Sequence, residues 1–200
     1  MRYFRLTHIA AEYAQEWENE KPAIVVLEVP PFIEDALVFG NVVPLQPCHG
    51  SCEDGPLPDY PLTIPIVSVV SQRLLPIFVE DRSDTVQVFP LVLRRERTGE
   101  PVPGFFVANV VETIDCVDRD ASKGGIYTKE SYPNWTKNPE KLGRFKVFDG
   151  LVLSRAAMNG HAIFRVAGWP LAIVVTEAFV RAAEEAGLTG CQFREMQTTL

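Results

Sequence analysis

Two thiols and an imidazole stand within five residues at Cys48-His49-Gly50-Ser51-Cys52. A zinc centre needs four ligands, usually as two short-spaced pairs. The remaining histidines, His8 and His161, and the remaining cysteines, Cys116 and Cys191, are solitary, so the cluster reads as thiols in a loop. Asp118, Asp120 and Ser122 alternate like the first ligands of a calcium loop. Lys123 fills the place that needs glycine and Lys129 the place that needs a bidentate glutamate, which leaves a solvated acidic turn. Neither metal nor cofactor is expected.

Covalent catalysis finds equally little support. Adjacency of Cys48 and His49 does not make a dyad, because nucleophile and base must meet in space with a third group orienting the base. The chain contains no Gly-x-Ser-x-Gly elbow, no Gly-x-x-x-x-Gly-Lys phosphate loop and no His-Glu-x-x-His pair. Carboxylates pair at Glu34-Asp35 and Glu53-Asp54 and gather at Asp115, Asp118 and Asp120, but acidic side chains are commonplace on surfaces. A non-enzymatic protein is therefore expected. The alternatives are a small enzyme or ligand-binding regulatory domain built on the Cys48–Asp54 loop, and a self-associating scaffold joined through exposed sheet edges.

Aromatic residues offer a different chemistry. Phe145, Phe148, Phe164, Phe179 and Phe193 fall in apolar runs and read as core. Tyr132-Pro133-Asn134-Trp135 lies instead among polar residues, where an aromatic can anchor a protein interface or shield the edge of its own core. Tyr13 and Trp17 have the spacing of one helix face.

These groups must be carried by a scaffold with a mixed pattern. Strands are expected at Arg2–Thr7 and Ala23–Val29, the second ended by Pro30-Pro31. From Pro44 to Pro65 six prolines and two glycines break any periodicity and predict a long loop. Ile66–Val70 reads as a strand, Ser71 as a cap, and Leu74, Leu75, Phe78 and Val79 as a helix face that Pro76 should kink or shorten. Val86–Leu93 and Gly104–Val111 predict a hairpin around a charged tip. A polar stretch, Asp115–Gly143, precedes expected strands at Phe145–Ser154, His161–Ala167 and Leu171–Val175, with Asn159-Gly160 marking a turn. Thr176, Glu177 and the Phe179, Val180, Ala183 stripe define a helix closed by Gly187, and Cys191–Glu195 a last strand.

A weak internal repeat runs through this pattern. At an offset of 105, Val69, Val70, Ser71, Leu74 and Leu75 fall on Val174, Val175, Thr176, Phe179 and Val180. The expected fold is α+β: a mixed, mainly antiparallel sheet with a few helices and two strand-helix-strand units joined by hairpins. A single domain spans 1–200, with N-terminal strands and a short helix in 1–43, the loop at 44–65 and the main body in 66–200.

Composition narrows the partners. The chain has 200 residues, 46% hydrophobic and 22% charged, which excludes a disordered or fibrous polymer. Nineteen basic against 26 acidic residues leave a net charge of −7. That balance speaks against nucleic acid or an anionic membrane and favours a basic partner. No apolar run approaches the ~18 residues of a membrane helix, and the N-terminus lacks a signal-peptide core. A reduced, cytoplasmic location is expected.

The run Val174-Val-Thr-Glu-Ala-Phe-Val-Arg-Ala-Ala-Glu-Glu-Ala-Gly-Leu-Thr-Gly-Cys-Gln-Phe193 resembles the C-terminal signature of an immunity-protein family from bacterial polymorphic toxin systems. Val69–Leu75, Phe105–Val111 with Asp115–Asp118, Phe148–Leu153 and Ile163–Arg165 are similar to that family in the same order, so the resemblance spans Ser68–Glu195. It implies an α+β protein that binds a cognate toxin in contact-dependent competition and blocks it stoichiometrically, with no catalytic residues of its own. Such proteins can also form homodimers. The acidic balance suits a basic toxin. Expected contacts are Asp115, Asp118, Asp120, Tyr132 and Trp135, which lie in a long polar segment outside the core pattern.

Overall fold

The fold is that of a computed structural model describing residues 1–8, 22–44, 46–64, 67–80, 84–146 and 150–199. The proposed helix face at Tyr13 and Trp17, together with Ile66 and Phe148, lies outside these residues. The first half contains β1 (Tyr3–His8), β2 (Val25–Glu28), α1 (Pro31–Phe39), β3 (Cys48–Cys52), β4 (Thr63–Ile64), β5 (Val69–Ser71) and α2 (Leu75–Val79). There follow β6 (Val86–Arg95), β7 (Pro101–Val102), β8 (Phe105–Val110) and β9 (Thr113–Ile114). After an irregular stretch come β10 (Val152–Ser154), β11 (Ile163–Val166), β12 (Trp169–Thr176), α3 (Glu177–Glu185), β13 (Cys191–Glu195) and β14 (Gln197–Thr199).

Two mixed sheets result, in an α+β arrangement. One has the order β13-β1-β12-β11-β9; the other runs β4-β2-β3-β6-β8-β5, with β7 folded back on β6. Most pairings are antiparallel, while β3–β6, β2–β4, β9–β11 and the separate β10–β14 pair are parallel. The weak repeat has a structural counterpart. β5 and β6 both flank β8 antiparallel, with α2 crossing between them. β12 and β13 both flank β1 antiparallel, with α3 crossing between them. Each unit is thus a strand-helix-strand split by one strand from elsewhere in the chain.

The apolar runs are continuous because these strands are buried on both faces. Ile173 and Val175 of β12 join a cluster with Leu6, Val70, Ala108, Phe78 and Phe179 that draws on both sheets. Ala172 and Val174 point the other way, toward Phe164, Leu153 and Met158. The rings of Phe78 and Phe179 meet edge to face at 5.6 Å, joining α2 to α3. A third cluster packs Ile33 and Leu37 of α1 against Leu27, Cys48, Phe89 and Leu91.

The local signals of α3 are realised together. Thr176 Oγ1 accepts from the Phe179 N–H, and Glu177 sits in the first turn. Past the end, the Gly187 and Leu188 N–H groups donate to the Glu184 and Ala183 carbonyls, a Schellman closure. Ser71 Oγ likewise accepts from the Arg73 and Leu74 N–H groups, capping the turn that leads into α2. The helix containing Pro76 is short, five residues, and the proline lies in its first turn, where its missing N–H costs nothing.

Several expectations need correction. The stretch 44–65 is not one loop: Cys48–Cys52 is a strand between β2 and β6, since its two neighbours supply the ladder that its own residues do not advertise. Pro58 to Pro61 are buried as well. There Asp59 accepts from Ser71 Oγ, Arg73 and the Thr189 N–H, so it ties the first unit to the loop after α3. Pro30-Pro31 ends β2 but also starts α1, with proline in its first turn. Of the long strand expected from Phe145, residues 147–149 lie outside the described ones; among the described residues only Val152–Ser154 is a strand, and Phe145 makes an isolated bridge with Ile126. Gly160 turns the chain with φ at +87°, yet the strands on its two sides, β10 and β11, do not pair with each other.

Arg165 of β11, 3% exposed, binds the layers together. Its guanidinium donates to the carbonyls of Val110 at the end of β8, Pro170 in β12, and Leu37 and Val38 in the last turn of α1. The last two are carbonyls that a helix end leaves without partners, and a cation there complements the helix dipole. Burial lowers the Arg165 pKa to about 10, so the group remains a cation at neutral pH. Gly40 closes α1 at φ +73°, and a Cβ there would come within 2.3 Å of Arg165 Nε.

Candidate functional site

Between β9 and β10 the chain departs from both sheets, with a single 3-10 turn at Pro139–Lys141 among its described residues. Its two ends are held down by buried Cys116, Val117 and Phe145. Bridges from Val117 to Leu153 and from Ile126 to Phe145 fasten them. Between these anchors the Lys123 N–H donates to the Gly150 carbonyl, and Tyr127 meets the start of β12.

The three aspartates open this segment but do different things. Asp115 is exposed and lies 3.9 Å from Arg119, a surface pair of small energetic weight. Asp118 Oδ1 accepts the N–H groups of Ala121 and Asp120 at 3.0 and 3.1 Å. The Ala121 N–H foremost, then the Thr199 side chain and the Asp120 N–H, hold its carboxyl below the usual range. Ser122 Oγ donates to the Asp118 carbonyl and accepts the Val152 N–H at 2.9 Å. The calcium-like spacing therefore builds a turn and fastens it to β10. Asp120 is exposed.

Tyr132 and Trp135 are half-buried and make contacts within the segment. Asn138 Nδ2 donates to Tyr132 Oη at 3.1 Å, and the Tyr127 ring lies 5.2 Å away. Lysines cover the rings: Lys129 over Trp135 at 4.7 Å, Lys141 over Tyr132 at 5.5 Å and Lys146 over Tyr127 at 5.9 Å. Each such contact contributes about 0.5–1 kcal/mol at an exposed site. Arg119 connects the acidic and aromatic parts, pairing with Asp115 and lying 5.5 Å over the Phe145 ring.

Sequence reasoning missed two features here. Five of the six lysines in the chain, with Arg144, fall in 123–146 against only Glu130 and Glu140. Averaging charge over the whole chain concealed that reversal. The second is a cavity of about 160 Å³ where Tyr127 and Phe145 meet Trp169 and Leu171 of β12, with Lys141 and Arg144 at its rim.

The Cys48–Cys52 cluster is dispersed by strand alternation. Cys48 and Cys52 point into the core, while His49 is exposed on the opposite face. Burial raises the pKa of both thiols, which disfavours the thiolate that a nucleophile or metal ligand must be. Among the described residues no three His, Cys, Asp or Glu side chains gather as metal ligands would. No described helix is long and apolar enough to cross a membrane.

No curated protein matches the chain. A family model does, over residues 47–198, which takes in both strand-helix-strand units, the irregular segment and the hairpin that meets it. The chain belongs to the immunity protein family (Imm11).

Proposed function

We propose that this chain binds a cognate bacterial toxin and neutralises it by occluding the toxin's active site, with the segment 115–146 as the principal contact. Membership of an immunity protein family is the observation that carries the reading. The segment suits the role because, among the described residues, its exposed middle adds no side chains to the clusters that hold the sheets together. Asp115 and Asp120 offer exposed negative charge, and Asp118 shapes the turn that presents them. Tyr132 and Trp135 of the same segment supply rigid aromatic area. The overall charge of −7 accelerates encounter with a toxin whose active-site cleft is basic.

The test is co-expression with any toxin domain that the neighbouring reading frame encodes. Cells producing that toxin should grow only when the chain is present, and the two proteins should co-purify in fixed ratio. Asp115→Lys with Asp120→Lys should lower affinity about tenfold and flatten its dependence on salt. Growth arrest despite abundant folded protein would refute the reading.

One observation favours a second association, with another copy of the chain. Val26, Ile64 and Val92, 40%, 55% and 41% exposed, lie on one outer face of the larger sheet. Sedimentation of the free protein distinguishes a dimer, which Val26→Asp should dissociate.

A further inference from the structure

The cavity walled by Tyr127, Phe145, Trp169 and Leu171 measures about 160 Å³. Small-molecule sites run to roughly 300–1,000 Å³, so this hollow has the size for one side chain. Its shape depends on close packing. Gly168 stands at φ +80° where a Cβ would meet the Phe145 ring at 2.9 Å, and the Phe145 N–H donates to the Gly168 carbonyl at 3.0 Å. Leu171 is 47% exposed, although Ala172 to Val175 beside it are buried. The apolar floor therefore opens outward.

Charge then selects what enters. Lys141 and Arg144 stand at the rim, and Lys146 lies over the adjoining Tyr127 ring. Cations around an apolar hollow complement a partner that brings carboxylates beside an aromatic or large aliphatic side chain, and they repel a basic one. Together with the acidic turn at Asp115 to Asp120, this gives a footprint of two signs, which fixes the orientation of a partner as well as its affinity.

We propose that this cavity receives one aromatic or large aliphatic side chain from an acidic segment of the toxin, whose carboxylates meet Lys141, Arg144 and Lys146. The proposal rests on the toxin-neutralising reading and names a contact within it.

Titration of the neighbouring toxin domain with the full chain tests it, using wild type, Leu171→Asp and the double variant Lys141→Glu/Lys146→Glu. Leu171→Asp should weaken binding about 100-fold and the double variant about 10- to 50-fold, with thermal midpoints close to wild type. Raising salt should weaken wild type more than the double variant. Tight wild-type binding with both variants unaffected overturns the cavity assignment and leaves the neutralising role standing. Failure of wild type to bind the toxin overturns both. Loss of a wild-type dimer on Leu171→Asp, with toxin affinity unchanged, assigns the hollow to a second copy and also overturns the proposal.

Discussion

The five-stranded sheet and the 115–146 segment that leaves its edge are held by different forces. In the sheet, successive residues of β12 enter two separate apolar clusters, so nearly every side chain from Ala172 to Thr176 is buried. In the segment, Tyr127, Tyr132 and Trp135 are covered by lysines and by one another. Burial of apolar area resists salt and tolerates little change of shape. Ring–cation contacts are weaker and exchange readily for contacts with another molecule. Stability is thus stored in the sheet, while the segment's ring contacts can be exchanged without unfolding it.

The largest expected effect breaks the first region. Phe78, fully buried between Tyr60 and Phe179, should cost about 3–5 kcal/mol when replaced by alanine. Denaturant titration would show the loss, while toxin affinity of the folded fraction stays unchanged.

An intermediate effect should follow pH. His8 stacks on Tyr60 at 4.1 Å, and burial lowers its pKa to about 4. The unfolded chain binds this proton near pH 6.5. Stability is therefore fully present above pH 6.5 and is lost as pH falls toward 4, by about 1 kcal/mol between pH 7 and 5 once partial exposure is allowed for. His8→Gln should remove that part of the slope in urea melts at the two pH values.

The smallest effect on stability should come from Trp135→Ala, less than about 1 kcal/mol by thermal melting. The same variant should weaken the toxin complex measurably in calorimetry. A loss of stability matching that of Phe78→Ala would erase the distinction between the two regions.

Much of the scaffold was legible because its determinants are local. Thr176, the Phe179–Ala183 stripe and Gly187 specify α3 without reference to the rest of the chain, and the β6–β8 hairpin announces itself by two apolar runs around charged residues. β3 was illegible because Cys-His-Gly-Ser-Cys has no strand preference, and its place comes from β2 and β6, the latter some forty residues away. α1 is hard to see in the sequence because Pro30-Pro31, which ends a strand, also begins a helix. In the candidate site, the aromatic segment was visible in sequence, but the cavity was not, since Leu171 and Phe145 meet only through the hairpin at Gly168.

Arg165 has a consequence for motion. A nine-residue helix is too short to persist alone in water, and α1 would ordinarily fray from the surface. Its last carbonyls, however, solvate a buried guanidinium that also holds β8 and β12. Detaching α1 would strand that charge in the interior with half its acceptors gone, at a cost of several kcal/mol. The amides of α1 should then exchange with solvent only when the sheets themselves part, making this outlying helix a member of the slowest cooperative unit of the molecule.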